Sequence, residues 1–153
     1  MSTPGHLVWR LSTKWRVAVD RALAPAGLTH AQYVFLASLA GMERAGTSPS
    51  QRELADHTGL EALYVSKLAR TLDAGGLVER TRDPADTRTV RLRLTARGRE
   101  VTEPAIATVA ELLDRLLAPL GGRRGERTAA LARELTLLLD TPLESGKDSH
   151  GAP

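Results

Sequence analysis

Two short helical patterns meet at a glycine and run straight into an arginine-bearing hairpin, an order of elements that few folds accommodate. Ser50-Gln-Arg-Glu53 has the capping-box form, in which the Ser hydroxyl and the Glu carboxylate each satisfy a free backbone N–H at a helix start. Gly59 stops the helix it opens. A second helix is predicted from about Glu61 to Ala74, with Val65, Leu68 and Leu72 as inner positions and Gly75-Gly76 as its end. Helix pairs joined this closely are common, and alone they say little. The next residues narrow the choice. Leu77-Val78 begins extended chain, Asp83-Pro-Ala-Asp86 supplies turn chemistry, and Val90, Leu92 and Leu94 alternate with Arg91 and Arg93 at the strand period of two. A helix-turn-helix followed at once by a basic hairpin is a winged helix, a layout whose second helix can enter the major groove of DNA while the wing reaches the minor groove.

Charge agrees with that layout because of where it sits. The chain carries a net charge of only +3, yet from Glu79 to Arg99 seven arginines stand against three acids (Glu79, Asp83 and Asp86). That local surplus exceeds the charge of the whole chain, as expected of a face that meets a polyanion. A solvated basic face without a partner is the plain alternative.

Several function classes drop out. With 153 residues, 42% hydrophobic and 25% charged, the composition is that of one globular domain. Zero cysteines exclude disulfides, thiol nucleophiles and thiolate zinc sites. No apolar run approaches the roughly 20 residues that span a bilayer, and Met1-Ser-Thr-Pro-Gly-His6 lacks signal-peptide character, so a cytoplasmic protein without a membrane partner is expected. His6, His30, His57 and His150 show no metal-ligand spacing, and no glycine-rich phosphate loop follows a strand. Asp56 and His57 are sequence neighbours, which point to different parts of a helix surface and do not form a base with its orienting acid. The expectation is a protein that is not an enzyme and needs no cofactor or metal.

Helices flank the winged core. Leu7, Leu11, Trp15, Ala18 and Ala22 recur at three and four residues and predict a first helix ended by Pro25 and Gly27. Thr29-His-Ala-Gln32 is a second capping box, opening a helix to about Glu43, and Ala45-Gly-Thr-Ser-Pro49 is turn-forming. Beyond Thr95, Ile106, Val109, Leu113, Leu116, Leu117 and Leu120 predict a long helix, with a kink or break at Pro104. After Gly121-Gly122, Leu131, Leu135, Leu138 and Leu139 mark a last helix before Pro142. These leucine stripes exceed what a small winged helix needs to cover itself, so a dimer interface is expected, with an intramolecular core as the alternative. The predicted architecture is mainly α with a small β-hairpin wing. It comprises one domain over residues 1–140, with a DNA-binding core at 28–98, dimerisation helices at 1–27 and 99–140, and a disordered tail at 141–153.

Specific residues now carry a resemblance. Arg52-Glu-Leu-Ala55, Val65-Ser-Lys-Leu68, Leu72, Gly76-Leu-Val-Glu-Arg80, Asp83-Pro-Ala-Asp86-Thr-Arg88, Leu94-Thr95 and Gly98 together resemble the MarR family of transcription regulators. The wing signature Asp-Pro-x-Asp-x-Arg before a strand ending Leu-Thr is the most specific piece. The likeness is close over residues 28–98 and extends to the flanking helices in pattern only. It implies a homodimer that binds a pseudo-palindromic operator in double-stranded DNA, and that often loosens when a small aromatic or phenolic effector binds.

By that resemblance the helix from Glu61 to Ala74 is the recognition helix. Leu63, Tyr64, Ser66 and Lys67 fall where such regulators commonly carry Ser, Thr, Thr or Ser, and Arg; the first two depart from the pattern. An exposed apolar side chain there would touch a thymine methyl while Lys67 and Arg70 reach a guanine edge or phosphates; packing of Leu63 against the preceding helix is the alternative. Gln51 joins the expected DNA contacts from the preceding helix. In the wing, Arg88 is expected in the minor groove, where a guanidinium senses groove width through its negative potential. Asp86 would hold Arg88 in place or only cap the turn, Arg82 resembles a phosphate contact, and Arg91 and Arg93 read most simply as the solvated face of the strand, with DNA contact as the alternative.

Four of the five aromatic residues, Trp9, Trp15, Tyr33 and Phe35, lie in the first two helices. The resemblance places an effector pocket where those helices meet the base of the long fifth one, which makes Trp9, Trp15 and Tyr33 its candidates; core packing competes for each. The rival function is a winged helix that docks an acidic protein through its basic wing without specific DNA binding.

Overall fold

The computed structural model describes residues 1–143. They fall into two compact units, Met1–Leu112 and a second beginning at Leu113. The tail expected from Thr141 lies outside the described residues beyond Leu143.

In the first unit, α1 (Pro4–Leu23) starts where the Thr3 hydroxyl accepts the His6 N–H and Pro4, lacking an N–H, occupies the first turn. A 3-10 turn over Ala24–Ala26 and Gly27 at φ 71° end it. The buried face differs from the predicted stripe. Val19 and Leu23 enter the core with Trp15 packed against it, whereas Leu7 and Leu11 are exposed. Trp15, Val19 and Leu23 keep the four-residue spacing, rotated one position from Ala18 and Ala22; small alanines beside larger apolar residues left the centre of the face ambiguous.

Both capping boxes form. Thr29 and Gln32 open α2 (His30–Arg44), and Asp20 of α1 accepts the His30 backbone N–H at 2.7 Å, tying the two helices. Ser50 and Glu53 open α3 (Gln51–Thr58), which ends at Gly59 with φ 74°, a left-handed conformation that costs glycine little. Next comes α4 (Ala62–Ala74), burying Val65, Leu68, Ala69 and Leu72. Strands β1 (Val78–Arg82) and β2 (Val90–Leu94) pair antiparallel with Val78 opposite Leu94 and Arg82 opposite Val90. Their inward residues Val78, Leu92 and Leu94 join Phe35, Leu36, Leu39 and Leu54 in one core.

Thr95 then turns the chain into α5 (Ala96–Leu117): its hydroxyl donates to the Gly76 carbonyl at 2.6 Å and accepts the Gly98 N–H at 2.9 Å. Gly98 is buried so close to the hairpin that a Cβ would overlap the Leu77 carbonyl oxygen. Of the kink or break expected at Pro104, the break does not occur: α5 runs through it. Proline there removes the N–H that would bond the Glu100 carbonyl and crowds that carbonyl with its ring, a local cost that the rest of the helix tolerates.

In the second unit a 3-10 turn over Ala118–Leu120 leads to Gly121 and Gly122, both at positive φ, and then α6 (Glu126–Leu139). Arg123 Nε meets Asp114 Oδ1 at 2.7 Å, and the Thr128 hydroxyl donates to the Gly122 carbonyl at 2.6 Å. No α6 residue is buried among the described residues, and Leu135, Leu137, Leu138 and Leu139 are exposed.

Candidate nucleic-acid interface

The periodicity that sends Val65, Leu68, Ala69 and Leu72 inward presents Leu63, Lys67 and Arg70 outward, four and three residues apart on one face of α4. Leu63 is 85% exposed, which removes the alternative that it packs on α3. Tyr64 is exposed beside it, and Ser66 is half-buried at the edge of the same face.

The wing is built by side-chain-to-backbone bonds. Asp83 Oδ1 accepts the Ala85 N–H at 2.8 Å, shaping the turn, and the backbone closes through Asp83 N–H to the Thr89 carbonyl and Thr89 N–H to the Asp86 carbonyl. Asp86 contacts both the turn and Arg88. Its Oδ1 accepts the Arg88 backbone N–H at 3.1 Å and lies 3.4 Å from Arg88 Nε, while Oδ2 accepts the Thr89 hydroxyl. The Arg88 side chain remains 92% exposed. It is a cation held at its root and open at its tip. Arg82, expected only as a phosphate contact, also donates to the Thr87 carbonyl at 2.7 Å and so helps fold the loop.

Arg91 corrects the sequence reading. It is not simply solvated: its side chain is half-buried, Nε donates to Asp83 Oδ2 at 2.9 Å, and NH1 reaches Glu53 Oε2 at 3.3 Å and the Ser48 carbonyl at 3.2 Å. The cause is tertiary, because Leu92 N–H donates to the Pro49 carbonyl and Ser50 bridges to Arg91, which lays β2 against the start of α3. The bond from the Ala85 N–H, followed by that from Arg91, holds the Asp83 carboxyl below the usual carboxylate range; Asp83 in turn raises the Arg91 guanidinium. Arg93, opposite Glu79, is exposed as expected.

Between wing and helices lies a groove of about 770 Å³, bordered by Gln51, Arg52, Asp56, Leu60, Asp86 and Arg88. Gln51 projects from the first turn of α3, and its Oε1 is buried without a hydrogen-bond partner. The groove therefore gathers Gln51, Asp86 and Arg88, while Leu63, Tyr64, Lys67 and Arg70 share the outer surface of α4. Arg52 and the Arg91 clamp are the residues that sequence reasoning missed. Arg52 was signalled by its place in the capping-box turn, whereas nothing local marked Arg91.

The aromatic candidates are not gathered in this way. Trp9 is 69% exposed, and Trp15 and Tyr33 are half-buried against the core, where burial raises the Tyr33 hydroxyl above its ordinary value. Trp9 and Trp15 lie six residues apart and so face different sides of α1. A cavity of about 250 Å³ between α2 and α5 is lined instead by Glu43, Arg44, Arg99, Thr102, Glu103 and Ile106. Glu43 is already engaged there, accepting the Leu94 N–H at 2.8 Å and pairing with Arg99 at 3.1 Å. No group of three metal-capable side chains occurs among the described residues.

Comparison with known proteins agrees with the architecture. The MarR family model matches residues 26–89, from the turn after α1 to the wing. An uncharacterized HTH-type transcriptional regulator of Bacillus subtilis, YdcH, is 36% identical over 111 residues, covering 72% of this chain and 76% of the relative. An HTH-type transcriptional repressor of Mycobacterium tuberculosis is 34% identical over 119 residues, covering 75% and 83%. Among solved structures, the transcriptional repressor CouR bound to a 23-mer DNA duplex matches with a TM-score of 0.75 and 31% identity, over 89% of this chain and 92% of that one. CouR from Rhodococcus jostii RHA1 is also known bound to p-coumaroyl-CoA. A winged helix with this wing signature, and relatives at this identity over three quarters of their length, place the chain in the MarR family of HTH-type transcriptional regulators.

Proposed function

We propose that the chain is a homodimeric, effector-responsive repressor that binds a pseudo-palindromic operator, with α4 in the major groove and the wing in the minor groove. The observation that carries this reading is the pairing of an outward α4 face bearing Leu63, Lys67 and Arg70 with a wing arginine that is 92% exposed yet anchored by Asp86. In this reading Lys67, Tyr64, Ser66 and Leu63 meet base edges, Arg70 and Arg82 meet phosphates, and Arg88, positioned by Asp86, enters the minor groove. Gln51, which lines the groove at the start of α3, meets the DNA backbone in this reading. CouR supports the DNA partner, and the Mycobacterium tuberculosis relative supports repression.

Residues 1–140 act together in this proposal, the helices at 1–27 and 99–140 pairing two copies. The exposed Leu7, Val8 and Leu11 of α1 and the exposed leucines of α6 support that pairing, since each helix carries apolar area that a single chain leaves in water. A two-fold axis then sets two recognition helices about one helical turn apart, roughly 10 to 10.5 base pairs. Trp9, Trp15 and Tyr33 remain the effector candidates only in the assembled dimer, and a small aromatic or phenolic compound is the proposed class, as the p-coumaroyl group of the CouR ligand suggests. A regulator of this kind acts in the cytoplasm, where its DNA lies; among the described residues no helix is long and apolar enough to cross a membrane. Catalysis has no place in the proposal. Docking of an acidic protein is not favoured, because it leaves the anchored Arg88 and the α4 face without a joint role.

Selection of bound sequences from a random duplex pool tests the reading, followed by competition with phenolic and aromatic carboxylates. An enriched inverted repeat with half-sites one turn apart is the expected result. Recovery of no enriched sequence would contradict it.

A further inference from the structure

Within residues 18–130 the large apolar side chains that stand exposed, among the described residues, are Leu63 and Tyr64 alone. Every other large hydrophobic residue of the DNA-binding core is at least partly covered. A single exposed leucine on a protein surface is ordinary. Two adjacent ones, in the first turn of the helix that faces the proposed operator and in line with Lys67 and Arg70, are a different matter. The face thus has two chemical halves, apolar where the helix begins and basic further along.

The major groove offers few partners to an apolar side chain. Guanine, adenine and cytosine edges present hydrogen-bond donors and acceptors, and the one sizeable apolar group is the C5 methyl of thymine. In a helix-turn-helix the N-terminal residues of the recognition helix meet the base edges. Set against guanine or adenine there, Leu63 would strip water from polar atoms it cannot replace. Resting on the proposed function, we infer that Leu63, flanked by Tyr64, reads a thymine methyl in each operator half-site, so that hydrophobic contact supplies specificity at that position. Lys67 and Arg70, on the same face, then reach a guanine edge and the backbone beside it.

Thymine and deoxyuridine differ by that methyl alone, which makes the test direct. In a selected operator, each thymine is replaced in turn by deoxyuridine in both half-sites, and the dissociation constant is measured for the full chain and for Leu63→Ala. The expected result is one position per half-site at which loss of the methyl weakens binding about fourfold, the worth of burying one CH₂ group, and about fifteenfold when both half-sites lose it. Leu63→Ala folds, since the side chain it trims is exposed, and it is indifferent to uracil at that position while still bound by the rest of the interface. At the same position a 5-methylcytosine·guanine pair binds tighter than cytosine·guanine but weaker than thymine·adenine. Tight binding that is indifferent to uracil everywhere overturns the inference and leaves the proposed function standing. Undiminished uracil sensitivity in Leu63→Ala overturns the assignment to Leu63, and methylcytosine preferred over thymine overturns thymine as the target. Failure to bind any duplex removes both the inference and the function beneath it.

Discussion

Arg91 and Asp83 join the outgoing strand of the wing to its turn, Nε to Oδ2 at 2.9 Å, and the same guanidinium reaches back to Glu53 at the start of α3. One side chain, a third of it still exposed, thereby links the two parts proposed to grip DNA. Arg91 is a positioning residue in this account, and Arg88 a contact.

The distinction predicts different failures. Arg91→Ala loosens the wing and lowers affinity for specific and random duplex alike, yet leaves the slope of log affinity against log salt nearly unchanged, because no phosphate contact is lost. Arg88→Ala lowers that slope by about one unit and flattens preference for A·T-rich flanks. Arg91→Lys recovers little, since an ammonium cannot fork between Asp83 and Glu53. Salt titrations of the three variants check it.

The pH response of the wing follows from Asp83. Its folded carboxyl titrates below the unfolded value of about 3.9, so the ionised form favours the folded wing. That contribution is complete above about pH 4 and is lost as pH falls through the folded value. Amide protection in the turn, taken relative to intrinsic exchange, should fall on acidification below that point, and Asp83→Asn should lack the transition. His30 gives a second sign at higher pH. Burial, opposed by Asp20 and aided by Arg16, depresses its folded value, so stability declines as pH drops below about 6.5, and less steeply in His30→Gln.

Gly98 leaves no room for a side chain between α5 and the Leu77 carbonyl. Gly98→Ala should destabilise the fold by about 1 to 3 kcal/mol through backbone overpacking, measured by denaturant unfolding. An unchanged midpoint would mean that the hairpin yields to the methyl at no cost.

Removing everything after Gly121 takes away α6 and its exposed leucines. The truncated chain should aggregate or unfold, because the dimer is proposed to stabilise its own subunits by mass action. A folded monomer at micromolar concentration, seen by light scattering, contradicts that.

Local chemistry made much of the fold readable. Thr29 with Gln32, and Ser50 with Glu53, satisfy backbone groups three residues away, and Gly59 and Gly27 supply the left-handed turns, so helix starts and stops needed no tertiary knowledge. The interior of α4 followed from its period. What escaped was decided at a distance. Whether Arg91 faced water depended on β2 meeting Pro49 and Ser50, about forty residues earlier in the chain. Which side of α1 is buried depended on its neighbours, and α5 continued through Pro104 where local chemistry allowed a break. Residue type and sequence position alone do not say that α1 turns Trp9 and Trp15 to different sides.

Lys67 tests base reading apart from the wing. Lys67→Ala, or Tyr64→Ala beside it, should cost about 1 to 3 kcal/mol on the selected operator and relax discrimination at one base position in each half-site. Equal losses on operator and random duplex would reassign these side chains to the backbone.

The central claim is that this surface recognises a DNA sequence. The direct measurement is the dissociation constant of the full chain for the selected inverted repeat and for a shuffled duplex of the same length and composition, across a series of salt concentrations. An operator preference of about 10³-fold or more is expected, with log affinity for both duplexes falling linearly against log salt. Equal affinity for the two duplexes at every salt concentration would contradict it.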